Sequence, residues 1–140
     1  MRPTVVLLCA VLLGGCSVAV HTGRPATPLV GGAFAGPWKG EGTQSDQAGR
    51  WTIALTLADG GQGTVVGTIT YPSLACGGDL ILRGADGGRV ELLERITFGD
   101  CVDEGVVTLT PSGGGLDFAW RGPNLTARGT LARATPPTSR

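Results

Sequence analysis

The sequence is poor in the residues that most catalytic and metal sites use. Its only histidine, His21, lies near the N-terminus in a segment of small residues and prolines that is not typical of a folded domain. This excludes Ser-His-Asp and Cys-His nucleophilic sites and histidine-ligated metals. Two carboxylates can perform acid–base chemistry, but no paired acids are recognisable in the sequence. We therefore expect a protein that is not an enzyme and has no metal or other cofactor.

Basic charge is also sparse and scattered. The 11 Lys and Arg residues equal the 11 Asp and Glu residues in number, and no stretch of the chain clusters them. The sequence therefore lacks the basic surface that holds a phosphate backbone. We expect no nucleic acid partner.

The chain has no apolar run long enough for a transmembrane helix, which takes about 20 residues. Residues 5–13 form a shorter run that follows Arg2 and ends in small residues, as in a secretory signal peptide. The end of this segment, residues 13–16 (LGGC), resembles the bacterial lipobox, in which the cysteine is acylated and becomes the new N-terminus. This resemblance implies loss of residues 1–15 and an extracytoplasmic protein held at the cell membrane by lipid on Cys16. An ordinary signal peptide that happens to contain Cys16 is the alternative.

The mature chain is predicted to hold one folded domain between two unstructured segments. Residues 16–36 form the lipidated cysteine and a flexible tether, because they are rich in small residues and have no period. Residues 134–140 form a disordered tail. Besides the lipidated Cys16, two cysteines remain after processing, Cys76 and Cys101, and an even pair in an exported domain predicts a disulfide.

Residues 37–133 are predicted to be all-β. Short runs of alternating or β-branched residues, each ended by turn residues, predict eight strands at about 38–43, 50–58, 64–71, 79–84, 89–98, 106–111, 116–121 and 125–133. Alternation such as Trp51, Ile53 and Leu55 indicates a sheet with one buried face. Eight antiparallel strands in a meander close most economically into a small up-and-down barrel. A β-sandwich is the alternative.

The two ends of this meander differ in composition. The connections after strands two, four and six are glycine turns, whereas the other four are mixed in composition and contain both cysteines. Because the tether enters at the glycine-turn end, the mixed loops are expected to face away from the membrane. Their acids, Asp46, Asp100, Asp103 and Glu104, are candidate recognition residues. Their spacing matches no calcium-binding loop, so solvated loop acids are favoured over a calcium site.

Strand parity places Glu94 on the buried face beside Leu92 and Ile96. A buried carboxylate needs a partner, such as the Tyr71 hydroxyl or an arginine, unless a bulge turns it outward. The tryptophans Trp38, Trp51 and Trp120 are predicted core residues, since side chains fill the interior of an eight-stranded barrel. A structural role is therefore the favoured interpretation of Glu94, and the alternative is a modest pocket formed by Trp38, Tyr71, Glu94 and Trp120.

A family resemblance extends over most of the predicted domain. It is carried by Trp38 and Gly40, residues 71–74 (YPSL), residues 76–78 (CGG), Glu94, residues 96–97 (IT), Cys101, Gly105, Trp120 and residues 129–131 (GTL). This pattern resembles a small disulfide-containing β domain of actinobacteria, found in exported lipoproteins and at the extracytoplasmic C-terminus of receptor-type serine/threonine kinases. The resemblance implies paired cysteines and a module carried on different anchors, but no ligand or activity. Residues 36–38 (GPW) are also similar to the Gly-x-Trp of lipocalin-like barrels.

Three functions follow as hypotheses. The first is a cell-envelope lipoprotein whose domain is a non-catalytic recognition or sensing surface for a protein or a wall component. The second is a lipocalin-like carrier of a small apolar ligand. The third is an inhibitor of an envelope-attacking hydrolase such as lysozyme.

Overall fold

The computed structural model describes residues 29–86 and 88–135, and these form eight β-strands with one short 3₁₀ turn. The strands are β1 (Gly36–Gln44), β2 (Gln47–Leu57), β3 (Val65–Tyr71), β4 (Cys76–Asp86), β5 (Arg89–Phe98), β6 (Val106–Ser112), β7 (Gly115–Arg121) and β8 (Thr126–Arg133). The 3₁₀ turn, Pro72–Leu74, joins β3 to β4. The predicted signal peptide, the lipidation site Cys16, and residues 16–28 and 136–140 lie outside the described residues.

The strands form a closed antiparallel barrel in which each strand pairs with its neighbours in the sequence. The barrel is closed by β1 and β8, which pair in register from Trp38 with Arg133 to Gln44 with Ala127. The predicted all-β meander and its closure into a barrel are confirmed, and the structure is not a sandwich. Among the described residues, no helix is long and apolar enough to cross a membrane.

Alternation along the strands builds the core. In β7, Leu116, Phe118 and Trp120 are buried while the residues between them are exposed, and β2 repeats this pattern from Trp51 to Leu57. Side chains from all eight strands fill the interior, and the largest fully buried residues include Phe118, Ile53, Ile69, Leu80, Leu92 and Leu109. The barrel is therefore packed through its middle, as expected for eight strands.

Residues 29–35, predicted to belong to the tether, pack against the end of the barrel where β1 begins. Leu29 forms an isolated bridge with Gly61, and the Val30 backbone N–H donates to the Gly60 carbonyl at 3.2 Å. The Val30 and Phe34 side chains are buried in the core cluster. The folded unit therefore includes these residues, which close this end of the barrel. We call it the closed end.

Polar contacts hold this segment in place. The Trp38 indole N–H donates to the Phe34 carbonyl at 2.9 Å. The Arg133 guanidinium donates to the Ala35 and Ala33 carbonyls and lies 4.4 Å from the centre of the Trp38 ring. Trp38 is thus a structural residue of the closed end.

The opposite end carries four connections, residues 45–46, 72–75, 99–105 and 122–125, which we call the mouth loops. Cys76 and Cys101 form a disulfide, as predicted, with their Cα atoms 5.9 Å apart. Because Cys76 begins β4 and Cys101 lies in the 99–105 loop, the bond fastens the longest mouth loop to the barrel wall.

Candidate functional site

A cavity of about 250 Å³ opens between the mouth loops. Six strands contribute to its wall, through Gln44, Trp51, Tyr71, Glu94, Trp120 and Ala127. Leu74, Asp100, Cys101 and Val102 form its outer edge from the mouth loops. We call this cavity the mouth.

Glu94 lies at the floor of the mouth and is only 1% exposed. It is the only charged side chain that is buried in the described part of the chain. Its Oε2 accepts a hydrogen bond from the Tyr71 hydroxyl, and its Oε1 accepts one from the Trp120 indole N–H at 3.0 Å. The sequence left open a buried Glu94 with the Tyr71 hydroxyl or an arginine as its partner, or a bulge that turns it outward; the structure shows burial against Tyr71, and the Trp120 bond was not predicted.

Glu94 has hydrogen-bond donors but no counterion. The ion pairs within the described residues, Arg50 with Glu41 and Arg83 with Glu91, lie on the outside of the barrel. Burial raises the pKa of Glu94, the hydrogen bonds from Tyr71 and Trp120 oppose that rise, and the charge of Asp103 adds to it. Burial, followed by the charge of Glu94, also raises the pKa of Tyr71. Burial therefore makes the ionised form of Glu94 less favourable than it is in water, and a nearby positive charge would favour that form.

Two glycines make room for the Trp120 indole. A Cβ atom at Gly105 would lie 2.0 Å from Trp120 Nε1, and one at Gly122 would lie 2.3 Å from the far edge of the ring. The Gly105 carbonyl also accepts a hydrogen bond from the Glu94 backbone N–H at 2.8 Å. Gly105 therefore positions both partners of the Trp120–Glu94 bond.

Trp51 brings an unpaired donor to the same site. Its side chain is only 7% exposed and packs edge-on against Tyr71, with ring centres 5.2 Å apart. Within the described residues, no acceptor lies within hydrogen-bond distance of its buried indole N–H. Leaving a buried donor unpaired costs about 1–3 kcal/mol. Alternation along β2 predicted that Trp51 is buried. No sequence pattern indicates whether a buried indole N–H has a hydrogen-bond acceptor.

The mouth loops are acidic. They contain Asp46, Asp100, Asp103 and Glu104 and no Lys, Arg or His. Of these four predicted recognition residues, only Asp100 lines the mouth. Asp103 has a structural contact, because its carboxylate accepts from the backbone N–H groups of Ile96 and Glu104 at 2.8 and 2.9 Å. Asp46 accepts from the Gln44 side-chain amide at 2.8 Å.

Apolar side chains are exposed next to these acids. Leu74 and Val102 are each 42% exposed and Phe98 is 51% exposed. Phe98 and Ile96 are not buried with Glu94, because β5 continues beyond the barrel wall and its pairing with β4 shifts between Gly77 and Gly78. The rim of the mouth is therefore apolar as well as acidic.

The structure thus brings together three of the four predicted pocket residues, Tyr71, Glu94 and Trp120. The fourth, Trp38, lies at the closed end and does not line the mouth. Within residues 29–86 and 88–135, no three His, Cys, Asp or Glu side chains are grouped so that they could hold a metal ion.

Comparison of the chain with protein-family models, curated proteins and solved structures finds no match.

Proposed function

We propose that this chain is a cell-envelope lipoprotein whose barrel is a non-catalytic recognition domain that binds a protein or a wall component at its mouth. The observation that carries the proposal is the buried carboxyl of Glu94 at the floor of a cavity open to solvent. A buried carboxyl without a counterion lowers stability, so its presence at a cavity favours a binding role over a purely structural one.

The position of the described chain ends supports the orientation in this proposal. Both Leu29 and Arg133 lie at the closed end, opposite the mouth loops. A lipid on Cys16 would therefore attach the barrel by its closed end, and the mouth would face away from the membrane.

The size of the mouth favours recognition over transport of a whole ligand. Pockets for drug-sized ligands have volumes of about 300–1,000 Å³, and the mouth, at about 250 Å³, is smaller. Below it, Leu80, Leu92 and Leu109 fill the barrel. The mouth therefore fits one side-chain-sized group of a larger partner, and the lipocalin-like carrier has less support. No feature of the described residues favours the hydrolase inhibitor, which stays a prediction.

Cross-linking in intact cells tests the proposal. A photoactivatable amino acid is placed at Val102, on the rim of the mouth, and in a second protein at Leu29, an exposed position at the closed end. We expect a discrete cross-linked product from position 102 and none of the same size from position 29.

A charge-neutralised protein provides the control for specificity. Asp100→Asn, Asp103→Asn and Glu104→Gln together remove the charge of the 99–105 loop, while the amide oxygen at position 103 can still accept the backbone hydrogen bonds. We expect this protein to lose the product at position 102. Equal products from both labelled positions, unaffected by these substitutions, would contradict recognition at the mouth.

A further inference from the structure

The charge of the mouth indicates the charge of the group that enters it. No Lys, Arg or His lines the cavity, whereas Glu94 and Asp100 do. Each Glu94 oxygen accepts one hydrogen bond and retains a second lone pair. An anionic group would meet two carboxyl groups without any basic side chain, whereas a cation supplies the counterion that Glu94 lacks.

The walls of the mouth suit a cation on an apolar stem. The aromatic side chains of Trp51, Tyr71 and Trp120 all line the cavity. Aromatic rings attract ammonium groups through their quadrupole and also pack well against methylene groups.

Two further features indicate that a peptide carries the cation. The exposed Leu74, Phe98 and Val102 give the rim an apolar surface that a small polar amine has no means of covering. The four acids of the mouth loops complement a basic segment.

From this geometry we infer that the mouth binds the ammonium group of a lysine-type side chain on a peptide partner, an inference that rests on the proposed function. The ammonium group pairs with Glu94, and the stem packs among the aromatic side chains. Hydrogen bonds from Tyr71 and Trp120 hold the Glu94 carboxyl in position.

The ammonium group competes with the proton on Glu94. Burial and the nearby Asp103 raise the pKa of Glu94, and the other titratable group in contact with it is Tyr71, whose pKa is raised as well. An ionised Glu94 binds the ammonium group more tightly than a protonated one. Affinity is therefore expected to increase as the pH rises through the pKa of Glu94.

Titration calorimetry with matched probes tests the inference on the full chain. The first probe is N-acetyl-lysine N-methylamide, and N-acetyl-norleucine N-methylamide is its uncharged counterpart of similar shape. We expect the lysine probe to bind at least tenfold more tightly. Glu94→Gln should weaken binding of the lysine probe at least tenfold, remove its pH dependence, and leave the norleucine probe unaffected. Glu91→Gln, an outward-facing change on the same strand, should have no effect.

A third probe separates the parts of the inference. n-Pentylamine has one cation and the stem but no peptide groups, so it should bind more weakly than the lysine probe.

The failures of the two proposals are distinguishable. Equal binding of the lysine and norleucine probes, or an unchanged affinity in Glu94→Gln, overturns the cationic ligand but leaves recognition at the mouth intact. Pentylamine that binds as tightly as the lysine probe overturns the peptide partner. If no probe binds at millimolar concentration, the inference is wrong, while the cross-linking experiment decides the proposed function by itself.

Discussion

At the scale of single residues, Glu94 connects the stability of the barrel with the chemistry of its mouth. Its carboxyl is removed from water, and hydrogen bonds from Tyr71 and Trp120 replace only part of the lost hydration. A side chain that is isosteric but uncharged would avoid this cost. The mouth therefore retains an acid that lowers the stability of the fold. The size of this loss depends on pH, because it depends on whether Glu94 is ionised.

We predict that the stability of the wild-type protein falls as the pH rises above about 4.5, the ordinary value for glutamic acid. The pKa of Glu94 is higher in the folded than in the unfolded state, so the folded protein binds more protons between the two values. The free energy of unfolding therefore decreases with rising pH through the folded pKa, by up to about 1.4 kcal/mol per pH unit. Urea unfolding at a series of pH values measures the slope.

Glu94→Gln should abolish this contribution, whereas Glu91→Gln on the outer face of the same strand should keep it. A slope that is identical in the wild-type protein and in Glu94→Gln would assign the pH dependence to other groups.

A second prediction at this scale concerns Gly105. Gly105→Ala places a Cβ atom against Trp120 Nε1, so the indole must move away from Glu94. We expect a loss of about 1–3 kcal/mol in the free energy of unfolding and a change in tryptophan fluorescence. The control is Gly84→Ala, because no atom lies within 4 Å of a Cβ built there. Equal stability of the two alanine proteins would contradict the role given to Gly105.

The sequence predicted part of this site at the residue scale. Alternation along β5 was sufficient to place Glu94 inside, and Tyr71 was a recognisable partner. The Trp120 bond and the free Trp51 donor were not predictable, because they depend on how far strands distant in sequence are shifted along one another. The assignment of Trp38 to the same pocket ignored its position along β1, where it pairs with Leu55 and Arg133, six residues before Gln44.

At the scale of elements, strand position was predicted well where β-branched and apolar residues alternate. β5 was predicted with its observed bounds, whereas β4 is longer than predicted and begins at Cys76. Its first residues include Gly77 and Gly78. Glycine has a low strand propensity, so the sequence pattern did not predict a strand there. A Cβ at Gly78 would lie 1.8 Å from the Arg95 carbonyl oxygen. Close packing against β5 therefore requires glycine at this position, although glycine is unfavourable in strands.

The segment at the closed end was assigned to the tether because it has no period. Its order comes from tertiary contacts, in which Phe34 covers the end of the core and its carbonyl receives the Trp38 N–H. Such contacts leave no local pattern in a sequence of small residues.

We predict that Phe34→Ala lowers the free energy of unfolding by about 3 kcal/mol, because it leaves a cavity at the closed end. Leu29→Ala is the matched control, since Leu29 is 60% exposed and its bridge to Gly61 uses only backbone atoms. It should change stability by less than about 0.5 kcal/mol. Guanidinium unfolding followed by circular dichroism measures both. A Phe34→Ala protein as stable as Leu29→Ala would mean that this segment contributes nothing to folding.

At the scale of the whole molecule, the barrel has two chemically different ends. The closed end is sealed by residues 29–35 and receives both described ends of the chain, whereas the other end carries the four acids of the mouth loops, the disulfide and the cavity that contains Glu94. The composition of the connections predicted this difference between the two ends, because a meander places alternate connections at opposite ends. The chemistry of a partner was not predictable, because the residues that line the mouth come from six strands and meet only in the folded barrel.

Attachment to the membrane is predicted to depend on Cys16. Cys16→Ala should move the protein from the membrane fraction to the soluble extracytoplasmic fraction, because the thiol that accepts the lipid is lost. Cys9→Ala should leave the protein in the membrane fraction, since Cys9 lies in the segment expected to be removed. Fractionation of cells with immunodetection compares the two. Retention of both proteins in the membrane would exclude acylation of Cys16 as the anchor.

The bond between Cys76 and Cys101 makes the mouth dependent on oxidation. Three of the four acids, together with Val102, belong to the loop that this bond fastens to β4. Where thiols stay reduced, this bond is absent, and the loop keeps only its other contacts with β5, such as the hydrogen bond between the Asp103 carboxylate and the Ile96 N–H. Reduction should therefore loosen the part of the rim that Asp100 and Val102 form, so the shape of the mouth depends on the redox state of its surroundings.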